Sequence, residues 1–205
     1  EAINEYGHIS DWDVSNVTDM SELFNYNSTF NDDISDWDVS SVTNMFQMFH
    51  EASNFNQDVG GWDVSNVVNM EYMFYEASNF NQDIGNWDLS SVESMEDMLG
   101  FTLFNQDVSS WDVSNVTNLS GLFNNTPFNQ DVSDWDVSNA IDLSALFDGT
   151  PFNQDISSWN ISNVTHLGAI FRNTPFNQDI SSWDVSNVTY FGAMFYNTPF
   201  NYDIS

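Results

Sequence analysis

Phe55-Asn56-Gln57-Asp58-Val59-Gly60-Gly61-Trp62-Asp63-Val64-Ser65-Asn66-Val67, followed by Met70, Met73 and Phe74, is one unit of a pattern that fills the chain. The tryptophans mark its period: Trp12, Trp37, Trp62, Trp87, Trp111, Trp135, Trp159 and Trp183, with gaps of 25, 25, 25, 24, 24, 24 and 24. A second apolar row follows at Phe24, Phe49, Phe74, Leu99, Phe123, Phe147, Phe171 and Phe195. A third stands at Phe30, Phe55, Phe80, Phe104, Phe128, Phe152, Phe176 and Phe200. The lost residue falls between the second and third rows, where Tyr26-Asn27-Ser28-Thr29 gives way to forms such as Asn125-Thr126-Pro127. Such fixed self-similarity is the mark of a stacked repeat, whose units cannot bury an apolar face alone.

The apolar spacing changes within each unit. Trp62 and Val64 are two apart, as on one face of a strand. Val64, Val67, Met70, Met73 and Phe74 are three or four apart, as on a helix or 3₁₀ turns. The expected fold is therefore α/β: a leucine-rich-repeat-like solenoid of about eight 24–25-residue coils, each a short strand plus a helical or 3₁₀ return. One solenoid domain is expected over 1–205, with 1–10 a divergent N-terminal unit or cap and 11–205 the repeats. The unfinished unit at Ile204-Ser205 reads as a segment of a longer chain.

Ile34-x-x-Trp37-x-Val39-x-x-Val42-x-x-Met45 resembles the leucine-rich-repeat spacing, with Trp and Val at the strand leucines. More closely, the phrase Phe-Asn-Gln-Asp-Ile-Ser-x-Trp-Asp-Val-Ser-Asn-Val-Thr, carried well by Phe176 to Phe195, resembles the BspA-like leucine-rich-repeat surface proteins. The resemblance covers nearly the whole chain. It implies exposure outside the cell or on its surface, and a binding scaffold for adhesion or protein–protein interaction. The near absence of Lys and Arg, and the Pro-containing loops of the later units, depart from that pattern.

Of 205 residues, 31 are Asp or Glu and one is basic, Arg172, for a net charge of −30. Nucleic acid is a poor partner for such a chain, because affinity for phosphate needs basic side chains. No apolar run is long enough to enter and cross a bilayer. With no cysteine, disulfides and thiol chemistry are excluded. The histidines His8, His50 and His166 fall at different phases of the repeat, and carboxylate pairs recur everywhere, so no unique catalytic constellation stands out and no enzyme is expected.

Stacking turns repeated polar residues into rows. Asp33, Asp58, Asp83, Asp107, Asp131, Asp155, Asp179 and Asp203 form one, read as satisfying turns. Asp13, Asp38, Asp63, Asp88, Asp112, Asp136 and Asp184 form another, expected to face outward from the strand. Carboxylates ~5 Å apart repel by about 0.8 kcal/mol in water. The second row is open to three readings: a solvated acidic face, a Ca²⁺ site, since Ca²⁺ takes several oxygen ligands, or a surface for a basic partner. No other cofactor is expected. Asn31, Asn56, Asn81, Asn105, Asn129, Asn153, Asn177 and Asn201 read as a structural row of buried amides.

Residues outside the period are freer to recognise a partner. The exposed aromatic candidates are Tyr26, Phe46, Tyr72, Tyr75, Phe101, Tyr196 and Tyr202. Of these, Phe46, Tyr72 and Tyr75 lie in adjacent coils near the return and are expected to form one apolar patch. They are the candidate partner-binding residues, together with Asp38 and Asp63. The leading expectation is a non-enzymatic extracellular or cell-surface interaction module, an adhesin or scaffold with a protein partner. The alternatives are a structural subunit of a larger assembly and a calcium-stabilised binding module.

Overall fold

Tryptophan must bury a large ring yet satisfy an N–H, and this pair of demands explains how one repeat seats on the next. In the computed structural model, which describes residues 7–203, the indole N–H of Trp62 donates to the Ile34 carbonyl of the preceding repeat at 3.2 Å. Trp87, Trp111, Trp135, Trp159 and Trp183 repeat the bond, to Val59, Ile84, Val108, Val132 and Ile156, at 3.0–3.2 Å. Each ring is thus fixed in the core at its apolar end and tied across the stack at its polar end. Coils are numbered here from their tryptophans, coil 1 beginning at Trp12 and coil 8 at Trp183.

The phenylalanine rows close the core. Within a coil the two rings lie face to face, at 3.7 Å and 3° for Phe123–Phe128 and likewise for Phe147–Phe152. Between coils the copies follow one another, as Phe123, Phe147 and Phe171 do at 6.1 and 6.3 Å. One contiguous cluster of buried apolar residues runs from Val14 to Met194.

The expected strand and helical return are both absent, so the α/β leucine-rich-repeat assignment is corrected. Among the described residues the sole helical element is a 3₁₀ turn, Ile9–Asp11. Parallel pairing is limited to one residue per repeat: Asp19, Asn44, Asn69, Ser94, Asn118, Asp142, His166 and Tyr190, each bridged to the next. The Trp-Asp-Val-Ser stretch is no strand, because its backbone groups are used locally. Asp63 accepts the Ser65 N–H at 3.1 Å, and the Val67 N–H turns back to the Val64 carbonyl at 2.9 Å. Neither group is then free for a ladder.

The return is a chain of tight turns. The N–H groups of Met20, Glu22, Phe24 and Tyr26 donate to the next coil, to the carbonyls of Asn44, Phe46, Met48 and His50, at 2.8–3.0 Å. The intervening N–H groups of Leu23, Asn25 and Asn27 donate three residues back, at 3.0–3.3 Å. That alternation demands a left-handed residue in every second turn, at the third position of a type II turn. Glu22 and Tyr26 take it with φ of 59° and 58°. Two such residues, four apart, recur in every coil through Ala193 and Asn197. Turns closed by bonds three residues back bring apolar residues to helix-like spacing, while the left-handed residues forbid a helix.

The first six residues of the expected N-terminal cap lie outside the described residues, as do Ile204 and Ser205. His8 accepts the Ser10 N–H at the start of the 3₁₀ turn, whose Ile9 carbonyl receives the Trp37 indole. The shortened connection is partly buried. Thr126, Thr150 and Thr174 are buried, and their hydroxyls donate to the carbonyls of Phe123, Phe147 and Phe171 at 2.6–2.7 Å. They replace the buried Ala52 and Ala77 of the longer repeats.

Candidate interaction surface

Both aspartate rows are the same device. Asp38 accepts the Ser40 N–H at 3.1 Å and the Ser40 hydroxyl at 2.6 Å. Asp33 does the same with Ser35, at 3.0 and 2.7 Å. Asp13, Asp63, Asp88, Asp112, Asp136 and Asp184 each accept the N–H of the serine two residues on, at 3.0–3.1 Å. Hydrogen bonds from those serines hold Asp13, Asp38, Asp88, Asp136 and Asp184 below the ordinary carboxylate range. The row is exposed and points outward. Among the described residues, no group of three or more His, Asp or Glu converges as a metal would require.

The asparagine row is structural but not buried. Asn31 Oδ1 accepts the Asn56 N–H at 2.9 Å, and the same bond passes from coil to coil to Asn177, which accepts from Asn201 at 3.3 Å. Gln57, Gln82, Gln106, Gln130, Gln154 and Gln178 add an amide bond to the preceding asparagine carbonyl. These side chains lie at intermediate or full exposure and bridge the coils along the outside.

On the return face the predicted aromatic residues do meet. Phe46 and Tyr72 pack edge to face at 6.3 Å, and Tyr72 and Tyr75 at 5.7 Å. The row extends beyond that patch to two further aromatic candidates, Tyr26 and Phe101, through His50. Tyr26 meets His50 at 5.1 Å, His50 stacks on Tyr75 at 5.4 Å, and Tyr75 meets Phe101 at 5.4 Å. His50, buried and bonded to Asn25 Oδ1 at 3.0 Å, was not among the candidates. It stands one coil before Tyr75 at the same repeat position, which was the available signal. Phe46, Tyr72 and Tyr75 are half-buried, whereas Tyr26 is 64% exposed and Phe101 40%. Asp38 and Asp63 belong to a separate turn of the coil, where Ser40 and Ser65 hold them.

Two phenols of this face and one carboxyl beside it, that of Asp97, are perturbed. The Tyr72 hydroxyl donates to Glu96, whose other oxygen accepts from Asn118 at 2.9 Å. Burial and then that hydrogen bond push the Tyr72 phenol up, and burial and the Asp97 charge do so for Tyr75. Burial, aided by the charge of Glu96, raises the Asp97 carboxyl to about 6. Asp97 Oδ1 is buried without a hydrogen-bond partner. It presses on coil 5, where a side chain on Gly121 would stand 2.2 Å from it. Further along, Arg172 donates to the buried Asp148 of the preceding coil, its Nε at 2.9 Å.

No helix of the described residues is long and apolar enough to cross a membrane. No curated protein and no solved structure matches the chain. One family-wide sequence profile matches twice in tandem, over residues 1–102 and 100–205. This match shows a repeat protein and does not extend to the finer BspA-like type. The stacked turn repeats run through both matched stretches, and the chain belongs to the family described as Mycoplasma protein of unknown function, DUF285.

Proposed function

We propose that this chain is a non-enzymatic protein-interaction module acting at the cell surface or outside the cell, as an adhesin or scaffold. The observation that carries the reading is the aromatic row Tyr26, His50, Tyr75 and Phe101, joined by Phe46 and Tyr72, on one side of coils 1–4. Coils 5–7 place Asn124, Asp148 and Arg172 where His50 and Tyr75 stand. The aromatics are therefore not required to form a coil. Clustered, partly exposed aromatics are the side chains that most often anchor protein interfaces. The BspA-like phrase of the repeats supports surface exposure, and the charge of −30 favours a partner with a basic patch.

Immobilised chain, offered a surface-protein extract, tests the binding reading against a Phe46→Ser/Tyr75→Ser variant whose melting is measured alongside. A protein retained by the native chain and lost by the folded variant is the expected result. Retention of nothing at low salt, or equal retention by both, refutes it. Antibody labelling of intact cells tests the location, and a signal seen only after permeabilisation refutes that part.

A further inference from the structure

The fold requires left-handed backbone at two positions of every coil, but not the residue types that coils 1–4 place at the second of them. Tyr26, Glu51, Glu76 and Phe101 share one repeat position, with φ of 58°, 56°, 57° and 59°. In coils 5–8 the same position is Asn125, Gly149, Asn173 and Asn197, the residue types that accept this conformation most readily. The first four coils thus keep two aromatic and two acidic side chains at a backbone cost.

Three of those side chains, Glu51, Glu76 and Phe101, line a groove of about 470 Å³ together with Ser28, Ser53 and Ser78. Glu51 and Glu76 occupy equivalent positions in successive coils, so their backbones are about one strand-like spacing, ~4.8 Å, apart. The chain's one Lys or Arg, Arg172, is committed to Asp148 in coils 6 and 7. No lysine or arginine of the chain is therefore left to balance the pair.

We propose that this groove docks an arginine-bearing segment of a protein partner. The inference rests on the interaction-module reading and names the chemistry of the partner. A planar guanidinium can lie against the Phe101 ring while its N–H groups reach carboxylates. It carries five donors and no acceptor, and the groove offers acceptors in two glutamates and three serine hydroxyls. Lysine, a point charge with a strongly hydrated head, uses the aromatic wall less well. Arginines at alternate positions of an extended segment project to one side about 6.6 Å apart, within side-chain reach of adjacent coils.

The test is fluorescence anisotropy with three labelled peptides of alternating Ser and Arg, Ser and Lys, or Ser and Gln, at ~0.15 M salt. The native chain is expected to bind the Arg peptide more tightly than the Lys peptide, and the Gln peptide not at all. Glu51→Gln/Glu76→Gln should weaken Arg-peptide binding at least tenfold, and Phe101→Asn about threefold. Asp32→Asn/Asp36→Asn removes the same charge from exposed carboxylates elsewhere and should change binding less than twofold. Equal weakening by the two charge-removing pairs overturns the groove in favour of diffuse attraction. So does failure of the Arg peptide to bind, or equal binding of the Gln peptide. A natural partner retained equally by the native chain and by Glu51→Gln/Glu76→Gln also overturns the groove, yet leaves the interaction-module reading standing.

Discussion

Replacing Glu51 and Glu76 together by asparagine should stabilise the protein. Both glutamates sit at φ near 56°, where a non-glycine residue is strained and asparagine is several-fold enriched. A several-fold preference is worth roughly 0.5–1 kcal/mol per site, hence about 1–2 kcal/mol for the pair. For a chain of this size each kcal/mol moves the melting midpoint by about 2–4 °C, so the pair should raise it by about 2–8 °C. Removing two charges from a chain at −30 also relieves repulsion. Glu51→Gln/Glu76→Gln is the control, because it removes the same charge with no preference for left-handed backbone. Thermal unfolding of the three proteins in one buffer separates the effects. If the asparagine pair melts no higher than the glutamine pair, the positions are not strained and the functional argument from coils 1–4 falls.

Trp135→Phe should cost about 1–3 kcal/mol in denaturant unfolding, because the Val108 carbonyl loses its indole donor inside the core; a loss under 0.5 kcal/mol would refute the staple. Asp97 is raised to about 6, so the folded state binds its proton more tightly than the unfolded chain. Its ionisation therefore costs stability as pH rises from about 4 through 6, and the cost vanishes below. Asp97→Asn should raise stability at pH 8 by about 1–2 kcal/mol after allowance for partial exposure, with the gain shrinking toward pH 4; a gain unchanged between pH 8 and pH 4 contradicts this. The serine-bonded aspartates act oppositely: their carboxyls are lowered, so their contribution is present above about pH 4 and is lost on further acidification. Ca²⁺ and Mg²⁺ should raise the melting midpoint no more than ionic-strength-matched NaCl, given the serine partners of the Asp38 row. A specific Ca²⁺ shift at micromolar concentration would show sites formed by movement of those carboxylates.

The period, the core rows and the coil number could be read from Trp, Phe and Val spacing alone, because burial repeats with the sequence. The backbone path could not. Val64, Val67, Met70 and Met73 are spaced as on a helix, yet Tyr72 and Glu76 break any helix with positive φ, and neither residue type announces that conformation. The later repeats do give the signal, in Gly121, Gly149, Asn173 and Asn197 at the same positions. The strand reading failed on Asp63, whose capture of Ser65 competes with pairing. At the site, Phe46, Tyr72 and Tyr75 were legible as departures from the period. Phe101 was legible as an exposed aromatic, but Glu51 and Glu76 became meaningful only when the groove placed them beside it.

Among the described residues the hydrogen bonds between coils join positions close in sequence, the indole bonds such as Trp62 to Ile34 reaching 28 residues back. Closing each coil therefore carries the same entropic cost, set by a loop of fixed length, whether it is the second coil or the fiftieth. Mean contact separation stays constant as coils are added, so folding by nearest-neighbour addition does not slow as topology would otherwise dictate. Duplicating or deleting a whole repeat changes the reach of the molecule without disturbing any bond pattern already made. Reach can then vary among related chains independently of whatever the four aromatic-bearing coils recognise.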